Sequence, residues 1–445
     1  MSVFSSKVLR DMYGTEEMRR IFSDESRIRN FVAIEVALAK VESELGVIPD
    51  EAYREIARRA PGFVVDWDRL KTDTETIGYP VMPLLKQLTE CCGEAGEYLH
   101  WGSTTRDITD TSFVLQVREA LGIIETETRA IKSKLVELTR RHRNTVTVAR
   151  THGMHALPTT FGFRTAIWLS ETGRQLKRLE AVRQSFSCGQ FGGAVGTLAA
   201  VGPKGIEVQR KLMATLGLTA PDISWFSSRD RVSEVVFVLA GIGCTMASIA
   251  KTLVVMTRDE VGEAREPDVV GRGTSSAMPH KHNTVGSELV LVYGKFLAQY
   301  VSLVMESMVQ DYDRDWQGHF ETIIVPQAFL MSHASLRQMN FILGGLQVFP
   351  ERMRANAEIT NGMIMAESVM MALAPHLGRK RAHKLVSAAC EAALARQCHL
   401  RDVLITDAEV TKHLAPADIE HALVPANYTG AATAVVDQVL ASEDR

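Results

Sequence analysis

The sequence predicts an all-α fold built from long helices. Extended stretches without proline are rich in Ala, Leu, Glu, Arg and Met, which favour helices. Several predicted helices exceed 25 residues, which is typical of a bundle whose helices pack along their lengths. No series of alternating strands joined by hairpin turns competes with this pattern.

Four stretches are predicted to form the longest helices. In the first, apolar residues such as Leu121, Ile124 and Ile131 recur at near-helical intervals. Residues 235–250 are apolar nearly all round but fall short of the ~20 residues that a membrane span needs. We therefore expect a buried helix there, at the centre of the bundle. The four predicted helices cover residues 112–143, 161–184, 231–258 and 285–310.

A change in composition divides the chain. After Phe349-Pro350 the predicted helices become shorter and turn residues more frequent. We predict an N-terminal helical domain over residues 1–105, a central long-helix bundle over residues 106–350, and a small C-terminal helical domain over residues 351–445. The central bundle carries a polar loop near residues 270–285.

Composition narrows the class of protein. The chain has 445 residues, 46% hydrophobic and 23% charged, with a net charge of −3. This balance fits a globular protein and gives no basic surface for nucleic acid. The N-terminus lacks the apolar segment of a secretory signal. The six cysteines include no CxxC pair, so free thiols in the cytoplasm are a better interpretation than zinc or disulfides.

Three polar stretches interrupt the helices, and the first is HWGSTTRD, residues 100–107. Its hydroxyls and the N–H groups of the helix that follows can bind an anion. The alternative is an ordinary helix cap formed by Asp107 or Thr105.

The second polar stretch is ARTHGMHALPTTFG, residues 149–162. His152 and His155 have the spacing of metal ligands, but no acidic or Cys partner lies nearby in sequence. Taken alone, either histidine is more often a structural hydrogen-bonding residue than a catalytic one.

The third polar stretch is GRGTSSAMPHKHN, residues 271–283, followed by Glu288. Its glycines and hydroxyls predict a mobile loop, and Lys281 and Asn283 add a cation and an amide that can bind a carboxylate. The phosphate-binding pattern GxxxxGK[ST] is absent. A plain linker is the alternative, which the mixture of Ser, Met-Pro, Lys and Asn disfavours.

Residues 275–283, SSAMPHKHN, resemble the SSxMPxKxN signature of the fumarase/aspartase superfamily, which fixes six of these nine positions. The other two stretches resemble the first and second regions of that superfamily, in the same order. The second is especially similar to adenylosuccinate lyases. The N-terminal segment MRRIFSDESRIRNF and the C-terminal LVPANYTG look closest to bacterial 3-carboxy-cis,cis-muconate cycloisomerases. The likeness covers nearly the whole chain.

The resemblance implies roles for individual residues. Ser275 matches the catalytic base, and His152 and Glu288 match a paired histidine and acid. It also implies a homotetramer, with each active site drawn from three chains. The sequence contains no metal-ligand cluster and no dinucleotide fingerprint, so we expect no metal or organic cofactor. The positions expected to bind substrate are Thr104, Thr105, Arg106, Thr151, Ser276, Met278, Lys281, Asn283 and Arg314. For Arg106, an extra substrate carboxylate and a surface position at a helix start both remain open.

The chemistry of such a reaction explains why these residue types are needed. Removing a proton beside a carboxylate creates a dianionic aci-carboxylate, so donors aimed at that carboxylate supply the largest stabilisation. Serine is a weak base in water and needs loop N–H groups and cations to lower the pKa of its hydroxyl. A His–Glu pair can protonate a leaving nitrogen, which contributes ~10²–10⁴-fold in rate.

Departures from the relatives limit the substrate. Adenylosuccinate lyases carry an Arg where this chain has Thr15, a His-Asp step in place of residues 74–80, and an Arg in place of Thr322, within a segment that follows Arg314-Asp315. Neutral Thr cannot replace the charge-assisted bonds of Arg to phosphate. The bacterial cycloisomerases carry Trp in place of His152 and lack the acid at Glu288.

The sequence therefore predicts a lyase that eliminates fumarate, or a close analogue, from a substituted succinate by C–N or C–O cleavage. Its expected partners are a small dicarboxylate and further copies of itself, with no nucleic acid and no membrane. The alternatives are a 3-carboxy-cis,cis-muconate cycloisomerase, an adenylosuccinate lyase and, from a different class, an inactive helical scaffold.

Overall fold

The structure is a computed structural model that describes residues 2–315 and 318–443. The all-α prediction is confirmed, since helices dominate and the strands are few and short. Trp316 and Gln317, which belong to the segment after Arg314-Asp315, lie outside the described residues.

The N-terminal region consists of short and medium helices around one apolar cluster. Side-chain oxygens begin three of them: Thr15 accepts from Met18 N, Ser23 from Ser26 N and Asp66 from Arg69 N. The core of this region contains buried residues such as Phe31, Ile56 and Leu88. Its helices are α1 (Arg10–Tyr13), α2 (Glu16–Ile21), α3 (Asp24–Glu44), α4 (Asp50–Arg59), α5 (Trp67–Ile77) and α6 (Val81–Cys92).

Long helices follow in the middle of the chain. They are α7 (Thr105–Arg141), α8 (Phe161–Ser185), the shorter α9 (Gly205–Thr215), α10 (Asp230–Thr257), α11 (Val285–Met305) and α12 (His319–Gly344). The four predicted long helices are all present, with ends displaced by a few residues. The helix α7 begins earlier than expected, because Asp107 accepts a hydrogen bond from the N–H of Thr104 and so stabilises its first turn.

The helix α12 was missed by the sequence prediction. It contains Pro326, and a proline inside a helical pattern is normally taken as a break. The C-terminal helices surround a separate apolar cluster that includes Val369, Val386 and Leu400. They are α13 (Pro350–Glu358), α14 (Ala366–Leu377), α15 (Arg379–Arg396), α16 (Leu400–Leu404), α17 (Ala408–Thr411), α18 (Pro416–Ala422) and α19 (Ala432–Glu443).

One hairpin, which the sequence analysis did not predict, interrupts the helices. The strands β1 (Val146–Thr151) and β2 (Met154–Thr160) form an antiparallel hairpin within the second polar stretch. Alternating Val and Thr residues at the start of β1 are the sequence signal that was overlooked. A second, minimal pairing joins β3 (Ala264–Arg265) to β4 (Gln347–Val348).

The chain divides into two compact units, each made of several segments. The first contains residues 1–127, 175–244 and 293–336, and the second contains residues 128–174, 245–292 and 337–445. The boundaries between the units fall within long helices. The division into three domains at residues 105 and 350 stays a prediction.

Two of the long helices are unusually apolar. By length and composition alone, α10 and the segment Val285–Met308 could cross a membrane, a test that many core helices also pass. In α10, 67% of the most apolar window is buried, as expected for a core helix, but in Val285–Met308 only 28% is buried. Along α11, Val292, Phe296, Leu303 and Met305 are each between 38% and 53% exposed. One chain therefore leaves an apolar face of α11 uncovered.

Candidate active site

The loop of the third polar stretch is closed at its base. The backbone N–H of Asn283 donates to the carbonyl of Gly273 at 2.8 Å, and its side-chain amide donates to the same oxygen at 3.1 Å. Thr274 and His282 form a single bridge beside this contact. Gly273 has a φ of +69°, and a Cβ at this position would lie 2.4 Å from the carbonyl oxygen of Asn283. In this conformation the amide of Asn283 therefore secures the loop.

Within the loop, the side-chain oxygen of Ser275 accepts two backbone hydrogen bonds. The donors are the N–H groups of Ala277 at 3.3 Å and Met278 at 3.1 Å. Such contacts are common where a serine begins a turn. The same two donors also favour an ionised serine, because they point positive charge at its oxygen. Lys281 is exposed near the end of this loop.

Glu288 lies in the first turn of α11. Its carboxylate accepts a hydrogen bond of 3.1 Å from the hydroxyl of Thr284 and is exposed. The buried Glu266 fixes the start of α11. Its carboxylate accepts hydrogen bonds from Ser287 N at 2.7 Å and from Gly286 N at 3.3 Å. The position of Glu288 is thus set by the helix that the loop enters.

His152 and Thr151 lie at the tip of the β1–β2 hairpin. His152 has a φ of +52° and Gly153 a φ of +82°, the backbone conformation of a tight two-residue hairpin turn. Both Thr151 and His152 are exposed. Within the described part of one chain, no hydrogen bond or ion pair joins His152 to Ser275, Lys281 or Glu288.

The first polar stretch lies at the start of α7 and lines a cavity of about 600 Å³. Thr104, Thr105 and Arg106 contribute to this cavity, and Arg314 lines it as well. The cavity thus brings together four of the predicted substrate-binding residues. All its lining residues belong to the first of the two compact units.

Two of the three departures from adenylosuccinate lyases face this same cavity. Thr322 and the segment 78–80 are part of its lining. The hydroxyl of the third departure, Thr15, forms a hydrogen bond of 2.7 Å with the ring nitrogen Nδ1 of His333. Where a phosphate-binding Arg is expected in the relatives, this chain therefore places a neutral hydroxyl in an internal contact.

A buried ion network, which the sequence did not predict, supports Arg106. Its Nε lies 3.2 Å from Asp110, whose carboxylate also contacts the guanidinium of Arg229 at 3.2 Å. Arg229 is 1% exposed and binds Glu321 through its Nε at 2.8 Å. Burial opposes its charge, but the two carboxylates outweigh burial and raise the pKa of Arg229. The residues SSRDR around Arg229 gave no sign of burial, because a polar run usually indicates an exposed turn.

In one chain the predicted site residues therefore form three groups. Thr104, Thr105, Arg106 and Arg314 line the cavity of the first unit. The hairpin tip and the loop, including Ser276 and Met278, belong to the second unit and are largely exposed. That these three groups form one active site stays a prediction. Among the described residues, no cluster of three or more His, Cys, Asp or Glu is arranged to hold a metal ion.

Comparison with protein families gives two matches. Residues 11–295 match the family described as Lyase, and residues 362–439 match the family described as Adenylosuccinate lyase C-terminus. The first match alone spans more than half of the chain and includes all three polar stretches. Arg314 lies outside it.

Individual relatives are similar over nearly their whole length. The chain is 37% identical to an N-acetyl-S-(2-succino)cysteine lyase of Dickeya dadantii, with 97% of this chain and 95% of the relative covered. It is 37% identical to a 3-carboxy-cis,cis-muconate cycloisomerase of Bradyrhizobium diazoefficiens, with 100% of both covered. The crystal structure of a fumarate lyase from a Mesorhizobium species superposes with a TM-score of 0.91 at 41% identity, covering 96% of this chain and 98% of that one.

Proposed function

Because this chain belongs to the fumarase/aspartase superfamily of lyases, we propose that it eliminates a substituent from a substituted succinate and releases fumarate or a close analogue. The observation that carries the proposal is the Ser275 hydroxyl, which accepts two loop N–H groups on a loop that also presents Lys281. These are the features that a serine needs to act as a base beside a bound carboxylate.

The proposed reaction proceeds in two steps. Ser275 Oγ, as an alkoxide, takes a proton from the carbon next to a substrate carboxylate, and the electron pair moves into that carboxylate to give the aci form. The pair then returns to form the double bond while the bond to the leaving group breaks. His152, oriented by Glu288, protonates the leaving atom as it departs. Lys281 and the Thr104–Thr105 hydroxyls hold the carboxylate charge that develops.

The pairing of His152 with Glu288 requires more than one chain in this proposal. The two residues make no contact within the described part of one chain, and both are exposed. The uncovered apolar face of α11, which begins at the turn that carries Glu288, supports burial against further copies. We therefore propose a homotetramer whose sites combine residues of different chains. A cytoplasmic location belongs to the same proposal, supported by six free cysteines.

The leaving atom is nitrogen, oxygen or sulfur. A retained acid at His152–Glu288 suits nitrogen, which must be protonated as its bond breaks. Sulfur is a candidate leaving atom because a relative with 37% identity is named N-acetyl-S-(2-succino)cysteine lyase. Adenylosuccinate is disfavoured, because Thr322 lines the cavity and Thr15 contacts His333 where the relatives use Arg.

The decisive experiment is a screen of N-, O- and S-substituted succinates, together with adenylosuccinate and carboxymuconate lactone, followed by ultraviolet absorbance of the new double bond. We expect turnover of one or more substituted succinates, and turnover lower by about 10²–10⁴-fold in Ser275→Ala. Turnover of carboxymuconate lactone alone would replace the proposal with cycloisomerisation. Turnover of none of them, by a correctly assembled protein, would favour the inactive scaffold.

A further inference from the structure

Asp107 is a carboxylate placed wholly inside the protein, next to the threonine pair. It is 1% exposed and accepts three backbone N–H groups, from Thr104 at 2.9 Å, Gly192 at 2.7 Å and Gly193 at 2.9 Å. Hydrogen bonds to an ionised acceptor are about twice as strong as neutral ones. One buried side chain thus joins the start of α7 to a segment about 85 residues further along the chain.

The same face of α7 secures that segment a second time. Thr111, one turn after Asp107, donates its hydroxyl to the carbonyl of Gln190 at 2.7 Å and accepts from the Gln190 N–H at 2.9 Å. Gly193 has a φ of +74°, and a Cβ there would lie 2.9 Å from the carbonyl oxygen of Gly102. The glycine segment therefore packs directly against the loop that carries Thr104.

The other end of that loop is also held by a buried carboxylate. Glu35, which is 2% exposed, accepts from the backbone N–H of His100 at 2.9 Å and contacts its ring Nδ1 at 2.7 Å. Burial of the ring opposes protonation, but the contact with Glu35 outweighs it, so the pKa of His100 is raised. Residues 100–104 are thus fixed at both ends, while Thr104 and Thr105 face the cavity.

We propose that Asp107 is a positioning residue for the elimination, which fixes the Thr104–Thr105 pair against the Gly192–Gly193 segment so that both hydroxyls meet the substrate carboxylate. This inference rests on the proposed function, in which that pair binds a dicarboxylate. Asp107 touches no substrate itself. A displacement of the hydroxyls by about 1 Å is enough to lower kcat/KM by about 10²-fold, because positioning errors of this size weaken transition-state contacts.

The ionised form of Asp107 is the one that can accept all three N–H groups. Burial raises the pKa of Asp107 to about 6, against the opposing effect of the backbone N–H groups. Once protonated, the carboxyl carries an O–H that competes with an incoming N–H. The fraction in the ionised form rises with pH, so kcat/KM should fall as pH drops through about 6. The charge of Asp107 also contributes to the raised pKa of His100, so His100 is a second titratable group coupled to this carboxylate.

The test compares Asp107→Asn with Asp407→Asn. Asp407 also accepts two backbone N–H groups, from Glu409 at 2.9 Å and Val410 at 3.1 Å, but it begins α17 in the C-terminal region. We expect Asp107→Asn to lower kcat/KM by about 10²-fold, to weaken fumarate binding in calorimetry by tenfold or more, and to lose the acid limb of the pH profile. Asp407→Asn should leave all three unchanged.

Two results would overturn the inference. The first is an Asp107→Asn variant with unchanged fumarate affinity and kcat/KM. The second is an Asp107→Asn variant that has a reduced rate but keeps the acid limb of the pH profile, because the limb would then belong to another group such as His100. If Asp107→Asn fails to assemble, Thr111→Val removes the adjacent bonds to Gln190 without touching the carboxylate. It should weaken fumarate binding by several-fold, and an unchanged affinity would count against the inference. The substrate screen uses the unmutated enzyme, so failure of the proposed function is recognised separately.

Discussion

The backbone N–H of Met278 donates a hydrogen bond of 3.1 Å to the side-chain oxygen of Ser275. Ala277 adds a second donor at 3.3 Å, and Lys281 N in turn donates to the carbonyl of Met278 at 3.0 Å. A charged oxygen gains more from such donors than a neutral hydroxyl does. The fold of the loop itself therefore favours the deprotonated serine that the proposed mechanism needs.

Ser275→Ala should reduce kcat by about 10²–10⁴-fold, the usual contribution of a positioned base. The proposed tetramer and the affinity for fumarate should be retained, because a loop hydroxyl contributes little to packing. Ser276→Ala is the matched control: it removes the neighbouring hydroxyl, and we expect a smaller loss, mainly through KM. Steady-state kinetics and calorimetry measure both. Turnover by Ser275→Ala within a few-fold of the unmutated enzyme would remove Ser275 from the role of base.

Mixing two inactive variants tests whether sites combine chains. His152→Ala and Ser275→Ala are each expected to be inactive, but hybrids reassembled from both should recover activity in about one quarter of the sites if the two residues come from different chains. Each variant taken alone through the same dissociation and reassembly is the control. No recovery, in hybrids shown by native mass spectrometry to contain both variants, would place the two residues in one chain's site.

The leaving group decides how much the His152–Glu288 pair contributes. Glu288→Gln should lower kcat far more than it weakens substrate binding, because protonation of the leaving atom matters most in the transition state. A substrate whose leaving group needs less protonation should partly rescue both Glu288→Gln and His152→Ala. Single-turnover rates across a series of leaving groups measure this. Near-normal turnover of carboxymuconate lactone by both variants would instead support cycloisomerisation, in which a carboxylate leaves without an acid.

Removal of metal ions should leave activity unchanged. The proposed elimination uses a serine base and polar donors, so it has no step that requires a Lewis acid. Dialysis against a chelator, followed by kinetic assay and metal analysis of the same sample, provides the measurement. Activity that disappears on dialysis and returns with one metal alone would contradict the mechanism as a whole.

Glu42 makes stability depend on pH in a specific direction. It is fully buried in α3, and neither of its oxygens has a hydrogen-bond partner in the described part of the chain. Burial, with a smaller effect from Glu35, raises the pKa of Glu42 from 4.5 to about 9. The folded state therefore binds this proton over a range where the unfolded chain releases it. Stability is lost as pH rises from 4.5 towards 9, by up to about 1.4 kcal/mol per pH unit.

Glu42→Gln removes that titration and keeps the size of the side chain. The difference in free energy of unfolding between this variant and the unmutated protein should grow in the variant's favour as pH rises. Urea unfolding at several pH values measures it, with Glu44→Gln, an exposed position of the same helix, as the control. Parallel stability curves for all three proteins would mean that Glu42 is ionised in the folded state.

The features that the sequence could predict depend on neighbouring residues. The long helices follow from composition and periodicity, and the loop of Ser275 from its short motif. Features that depend on tertiary contacts could not be predicted in this way. Nothing in the residues around Arg229 indicates that it is buried between Asp110 and Glu321. Likewise, the sequence motif predicts that Asn283 binds substrate, and it does not indicate that the Asn283 side chain donates a hydrogen bond to the carbonyl of Gly273.

The contact between His152 and Glu288 is absent for a different reason. Both side chains are exposed in the described part of one chain, so we expect this pair to form only between chains. The hairpin that presents His152 had only a weak signal in the sequence, because the alternation of Val and Thr is confined to the start of β1.

The apolar face of α11 has a consequence for how the active protein can be made. Val292, Phe296 and Leu303 are exposed in the single chain, so a newly synthesised chain carries this face in water until the further chains of the proposed homotetramer cover it. During refolding, very dilute chains will remain unassembled, while very concentrated ones will aggregate through the same face. The yield of active enzyme should therefore be highest at an intermediate chain concentration.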